Sequence, residues 1–186
     1  NKYGYIDNQN DTAFTPWKFG FRNLNYNGCG IIATYNALVF SDKITNDVNK
    51  VKNKDLNAYR RENLAKIIKG YEMSSGALIT GELGVNPAAI STMLMAYGVN
   101  VSVFAGLSGN AGFEYAYENL KSNQMAILCY WWNFHGSIGA HYITITKSSN
   151  GPINYNCDLI IGTSLSEFFH GKQSPYGFIQ GWIINK

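Results

Sequence analysis

The chain has 186 residues, of which 46% are hydrophobic and 15% aromatic, enough for one domain to bury a core without disulfide or metal staples. Its net charge of +3 is small, and no basic stripe interleaves with aromatic residues, so a nucleic-acid partner is not expected. No stretch is long and apolar enough to span a membrane and no signal peptide heads the chain, so membrane insertion is not expected.

Three cysteines, Cys29, Cys129 and Cys157, cannot all pair, and their spacing gives neither a CxxC pair nor a metal knuckle. No disulfide framework, metal site or cofactor is therefore expected. A start at Asn1 instead of Met is expected from removal of a leader or, in preference, from a domain taken out of a longer polypeptide.

Residues 1–25 are rich in Asn, Asp, Gly and aromatics without a sustained period. They read as an irregular arm anchored by Phe14, Trp17, Phe19 and Phe21 and ending in the loop that presents Cys29. A helix is predicted from Cys29 to about Phe40, with Ile31, Tyr35 and Leu38 at helical spacing. Residues 42–56, rich in Lys and Asn, read as a solvated connector.

A second helix, from about Asn57 to Tyr71, is marked by Leu64, Ile67, Ile68 and Tyr71 at i, i+3, i+4 and i+7. After a Gly/Ser-rich segment to Gly84, Asn86-Pro87 reads as an N-cap with proline at the first helical position. That third helix shows Ile90, Met93, Leu94 and Tyr97 on one face, with Met93 and Met95 read as packing residues. Then the period changes. Val99, Val101 and Val103 alternate as a strand, a helix follows at 112–122, and strands are predicted at 125–132, 141–147, 153–161 and 177–184. Helices first and strands last argue for a single α+β domain, a helical half against an antiparallel sheet.

The chemistry centres on Gly28-Cys29-Gly30. A cysteine in the first turn of a helix sits where free N–H groups and the positive end of the macrodipole favour an anion, so its thiol pKa is expected to fall. The flanking glycines are expected to let a substrate backbone come close. A cysteine nucleophile also needs a base and a group that orients that base. His141 opens the alternating run His141-Tyr142-Ile143-Thr144-Ile145-Thr146, on the face of Ile143 and Ile145, after the small residues Gly139-Ala140. His135 and His170 lie in polar turns and read as surface residues. On the next strand Asn154, Asn156 and Asp158 share one face, so one of them can accept the other ring N–H of His141. Asn23, Asn25 and Asn27 are the side-chain amides available for an oxyanion. Trp131, Trp132 and Phe134 read equally as cleft wall and as core.

With Cys29, His141 and the Asn156 region in that order, the chain resembles the papain-like cysteine peptidases. It looks closest to the compact bacterial branch that includes the double-glycine leader peptidases. The resemblance implies a papain-like fold and a cysteine peptidase that cleaves a peptide or isopeptide bond through a thiolate–imidazolium pair and an acyl-enzyme thioester. It implies Asn156 as the orienter of His141, with Asp158 second. It also implies Asn23, six residues before Cys29 where the family carries Gln, as the oxyanion amide, one methylene shorter, with Asn25 as its substitute. The composition also looks similar to C-terminal domains of large secreted bacterial proteins, including papain-fold toxin modules. That likeness implies a secreted or cell-surface domain, a peptide or protein substrate and an inhibitor or immunity protein as partner. The alternatives are an acyltransferase or deamidase of the same fold and a catalytically inactive binding module.

Overall fold

The structure is a computed structural model, and it describes residues 4–10, 17–74, 76–81, 83–107, 111–134, 137–149, 151–155 and 177–186. Phe14, His135, Asn156, Cys157, Asp158 and His170 lie outside the described residues. Helices occupy the N-terminal half and an antiparallel sheet the C-terminal half, the expected α+β arrangement.

The arm ends in a short hairpin, β1 (Lys18–Phe19) and β2 (Arg22–Asn23), followed by one turn of helix, α1 (Leu24–Asn27). Phe19 and Leu24 are fully buried and Trp17 packs against the core, whereas Phe21 is 77% exposed and anchors nothing. The hairpin turn places Phe21 on the solvent side, which its hydrophobicity did not announce.

Helix α2 (Cys29–Phe40) is the centre of the molecule, and every one of its residues is buried. Burial extends beyond Ile31, Tyr35 and Leu38 to every side of the helix, which is mostly apolar all round as an enclosed helix must be. Its two polar interior residues are paired. Thr34 Oγ1 donates to the Gly30 carbonyl at 2.9 Å and lies 2.6 Å from the Tyr71 hydroxyl. Asn36 accepts from the Ile6 N–H at 2.8 Å and donates to the Ile6 carbonyl at 3.0 Å and to Thr144 Oγ1 at 3.2 Å, tying the arm to the sheet.

The connector holds two short 3-10 turns, Val48–Lys50 and Lys52–Lys54. Helix α3 (Leu56–Met73) follows, capped by Asp55, whose carboxylate accepts from the Ala58 N–H at 2.9 Å. It buries Leu64, Ile67, Ile68 and Tyr71, the four residues its period marked. Helix α4 (Pro87–Ala96) starts at the expected Asn86 cap and buries Ile90, Met93 and Leu94. Met95 is 60% exposed and is not a packing residue.

Five strands form the sheet: β3 (Val101–Ala105), β4 (Gln124–Phe134), β5 (Ser137–Ser148), β6 (Gly151–Tyr155) and β7 (Gly177–Asn185), in the order β3-β7-β4-β5-β6. Helix α5 (Ala111–Asn119) lies between β3 and β4 in sequence and packs on β7. Side chains alternate along each strand, so the sheet separates two cores. On one face Met125, Ile127, Cys129, Tyr142, Trp182 and Ile184 pack against α2. On the other Ala126, Leu128, Tyr130, Ile143, Ile145 and Phe178 pack around Phe113 of α5.

Candidate active site around Cys29

Cys29 is the first residue of α2, as its glycine-flanked position predicted. The glycines themselves serve packing. A Cβ on Gly30 would come within 2.7 Å of the Val85 Cβ, and one on Gly28 would run into the Leu24 carbonyl and side chain. They let α1, α2 and the segment ending at Val85 meet closely, a role the sequence reading gave to substrate access instead.

Cys29 is buried, 7% exposed as a residue, and forms part of the wall of a pocket of about 450 Å³. Its lining includes Leu83-Gly84-Val85 before α4 and Ile138-Gly139-Ala140 at the start of β5. Three backbone N–H groups, those of Tyr142, Gly30 and Cys29 itself, are directed at the sulfur and favour the thiolate. Burial outweighs them and raises the thiol from 9.0 to about 11. The expected fall in pKa is therefore corrected: the helix end stabilises an anion, but dehydration of the sulfur costs more. Burial thus favours the neutral thiol over the thiolate.

The N–H of Tyr142 places the sulfur beside the residue that follows His141. His141 is half-buried on β5, opposite Tyr130 on β4, and its ring stands edge-on to the Tyr130 ring, 5.8 Å between centroids at 80°; this is the α5 face of the sheet, away from Cys29, and His141 is not among the residues lining the pocket. Two segments 112 residues apart in sequence thus meet within one residue of His141, because α2 lies across β4 and β5.

The expected oxyanion amides fare differently. Asn23 is exposed at the N-cap of α1 and is not among the residues lining the pocket; Asn25 is half-buried on α1 and is not among them either. Asn27 does line the pocket, but its amide is occupied. Nδ2 donates to the Phe19 carbonyl at 2.9 Å and to the Gly81 carbonyl, while Oδ1 is buried without a partner among the described residues. Asn27 is a tie between the arm and the segment 78–81, with no N–H left for a substrate oxygen. The orienter Asn156 and its substitute Asp158 lie outside the described residues. Trp131 is half-buried and is not among the lining residues.

Two residues of the site carried no clear signal. Tyr142 has its hydroxyl donating to the Val85 carbonyl at 2.8 Å and in contact with the Cys129 thiol, while its ring leans on Trp182. It ties β5 to the segment before α4, and both ends of the tie line the pocket. Cys129 is buried on β4 and also lines the pocket; burial raises its thiol to about 12. Alternation along β5 places position 142 on the face opposite Ile143, and only α2 lying on that face makes the position matter.

Among the described residues no helix is long and apolar enough to cross a membrane, and no three His, Cys, Asp or Glu side chains cluster closely enough to hold a metal ion. No protein-family model matches the chain, and no curated protein matches it in sequence.

Proposed function

We infer that this chain is a thiol-dependent hydrolase, a papain-like cysteine peptidase acting on a peptide or isopeptide bond, with Cys29 as nucleophile and His141 as base. The observation that carries the reading is Cys29 at the head of the buried helix, in the lining of a pocket of about 450 Å³. Because burial keeps the thiol neutral, the proton leaves as the carbon–sulfur bond forms and not beforehand. The resemblance assigns that proton, and its delivery to the leaving amine, to His141, whose ring stands on the α5 face of the sheet beside Tyr130 and outside the pocket lining; water then hydrolyses the thioester. The Cys29 and Gly30 N–H groups are the backbone donors nearest the developing oxyanion. The resemblance assigns orientation of His141 to Asn156 and a share of the oxyanion to Asn23. A secreted bacterial protein held in check by an inhibitor remains part of the same reading.

Cleavage of a random peptide library, followed by mass spectrometry, tests it. Cys29→Ala should abolish cleavage with unchanged far-UV circular dichroism, and His141→Ala should slow it at least about a hundredfold. Undiminished cleavage by Cys29→Ala overturns the reading. The raised thiol favours one second reading, a binding module on the same pocket. Saturable peptide binding by both wild type and Cys29→Ala, with no cleavage by either, would select it.

A further inference from the structure

We propose that Cys29 and Cys129 form a redox-sensitive pair whose disulfide closes within the wall of the pocket and takes the Cys29 sulfur out of use. The inference needs the two thiols alone and stands apart from the peptidase reading, which leaves Cys129 without a role. Both cysteines are buried, both line the same pocket, and both belong to the core on the α2 face of the sheet. One residue brings them together. The Tyr142 N–H is directed at the Cys29 sulfur, and Tyr142 on β5 is the direct partner of Cys129 on β4. Directly opposite residues of an antiparallel pair stand about 5 Å apart with their side chains on one face, so the Cys29 sulfur lies about one strand spacing from Cys129. The Tyr142 hydroxyl touches the Cys129 thiol, and the charge of an ionised Cys29 reaches Cys129.

None of the fourteen lining residues is charged. Two thiolates there would repel each other and meet no counter-charge, whereas a disulfide is neutral and carries no such desolvation cost. The oxidant that suits this pocket is a small, uncharged disulfide. Cys29 attacks one of its sulfurs, the thiol proton passes to buffer, and the first small thiolate leaves and takes up a proton. Cys129 then loses its proton, attacks the Cys29 sulfur and expels the second, so two protein thiols are oxidised and one small disulfide is reduced to two thiols.

Cys157→Ser leaves the pair as the only cysteines of the chain. This variant is incubated with bis(2-hydroxyethyl) disulfide, freed of reagent and mapped by mass spectrometry without reduction. A peptide pair joining Cys29 to Cys129 should appear, with the protein lighter by the two thiol hydrogens. Iodoacetamide should then label Cys29 at least about tenfold less until dithiothreitol is added. With Cys129→Ser added, the reaction should stop at a hydroxyethyl mixed disulfide on Cys29. The same adduct persisting while Cys129 is present overturns the pairing and leaves Cys29 a reachable thiol, as the peptidase reading requires. A disulfide between two copies of the chain, or two unoxidised thiols after prolonged incubation, overturns the pairing as well.

Discussion

The two faces of the sheet are built by different means. Against α5, Phe113 stands edge-on to Tyr130 at 5.5 Å and to Phe178 at 6.0 Å, and Phe178 stacks on Phe104 at 5.3 Å. That face is held by ring contacts and apolar burial. Against α2 the core is equally apolar but is crossed by buried polar ties: Asn36 to Ile6 and Thr144, Thr34 to Tyr71, Tyr142 to Val85, and Trp182 Nε1 to Ser91 Oγ at 3.0 Å. These join segments far apart in sequence and are directional, so they fix position where apolar packing fixes mainly volume. The pocket and its thiol sit on the face that has them. A reactive group needs its neighbours held at defined places, and polar ties supply that.

The sharpest way to break this comparison is to damage each face in turn and watch the thiol. Phe113→Ala should cost the most, about 4 kcal/mol in urea unfolding, since it empties the centre of the α5 core. At temperatures where the variant stays folded, Cys29 should alkylate at the wild-type rate. Asn36→Ala should cost about 3 kcal/mol, because it strands the Ile6 N–H and carbonyl in the interior. It should also speed alkylation of Cys29 as α2 loosens against β5. Faster alkylation in Phe113→Ala and none in Asn36→Ala would reverse the assignment of roles.

Tyr142→Phe sharpens the same point with one atom. It leaves the ring against Trp182 and removes the donor to the Val85 carbonyl, at about 1.5 kcal/mol. With the wall at Val85 released, iodoacetamide should reach Cys29 several-fold faster at fixed pH. An unchanged rate would mean that the wall holds without the tie.

What the sequence made legible follows the same division. The start and length of α2, the buried stripe of α3 and the Asn86 cap of α4 were legible because each depends on residues within one or two turns. Cys29 was legible for that reason too. The all-round burial of α2 was not, because it depends on α3, α4 and the sheet closing around it. Nor was the link from Tyr142 to Val85, which spans 57 residues and leaves no periodic trace. Phe21 and Met95 misled in the opposite sense, apolar by type and exposed by placement. The thiol shows the limit most clearly: the helix end that favours the anion can be read locally, but the burial that overrides it belongs to the whole fold.

That override has its own signature in stability. The native thiol of Cys29 holds its proton up to about pH 11, whereas the unfolded one releases it above 9.0, so between these values the unfolded state binds fewer protons. Stability therefore falls as pH rises through that window, with each unit of pKa difference worth about 1.4 kcal/mol at full effect. Cys129 adds a loss of the same sign, from 9.0 to about 12, which persists when Cys29 is removed. Wild type should accordingly lose about 1 kcal/mol more than Cys29→Ala between pH 8 and pH 10, read as the difference of their urea midpoints at the two pH values. Equal losses would mean that the native thiol ionises as easily as a free one. His141 would then meet a thiolate at rest, and the proton transfer assigned to it during attack would not be needed.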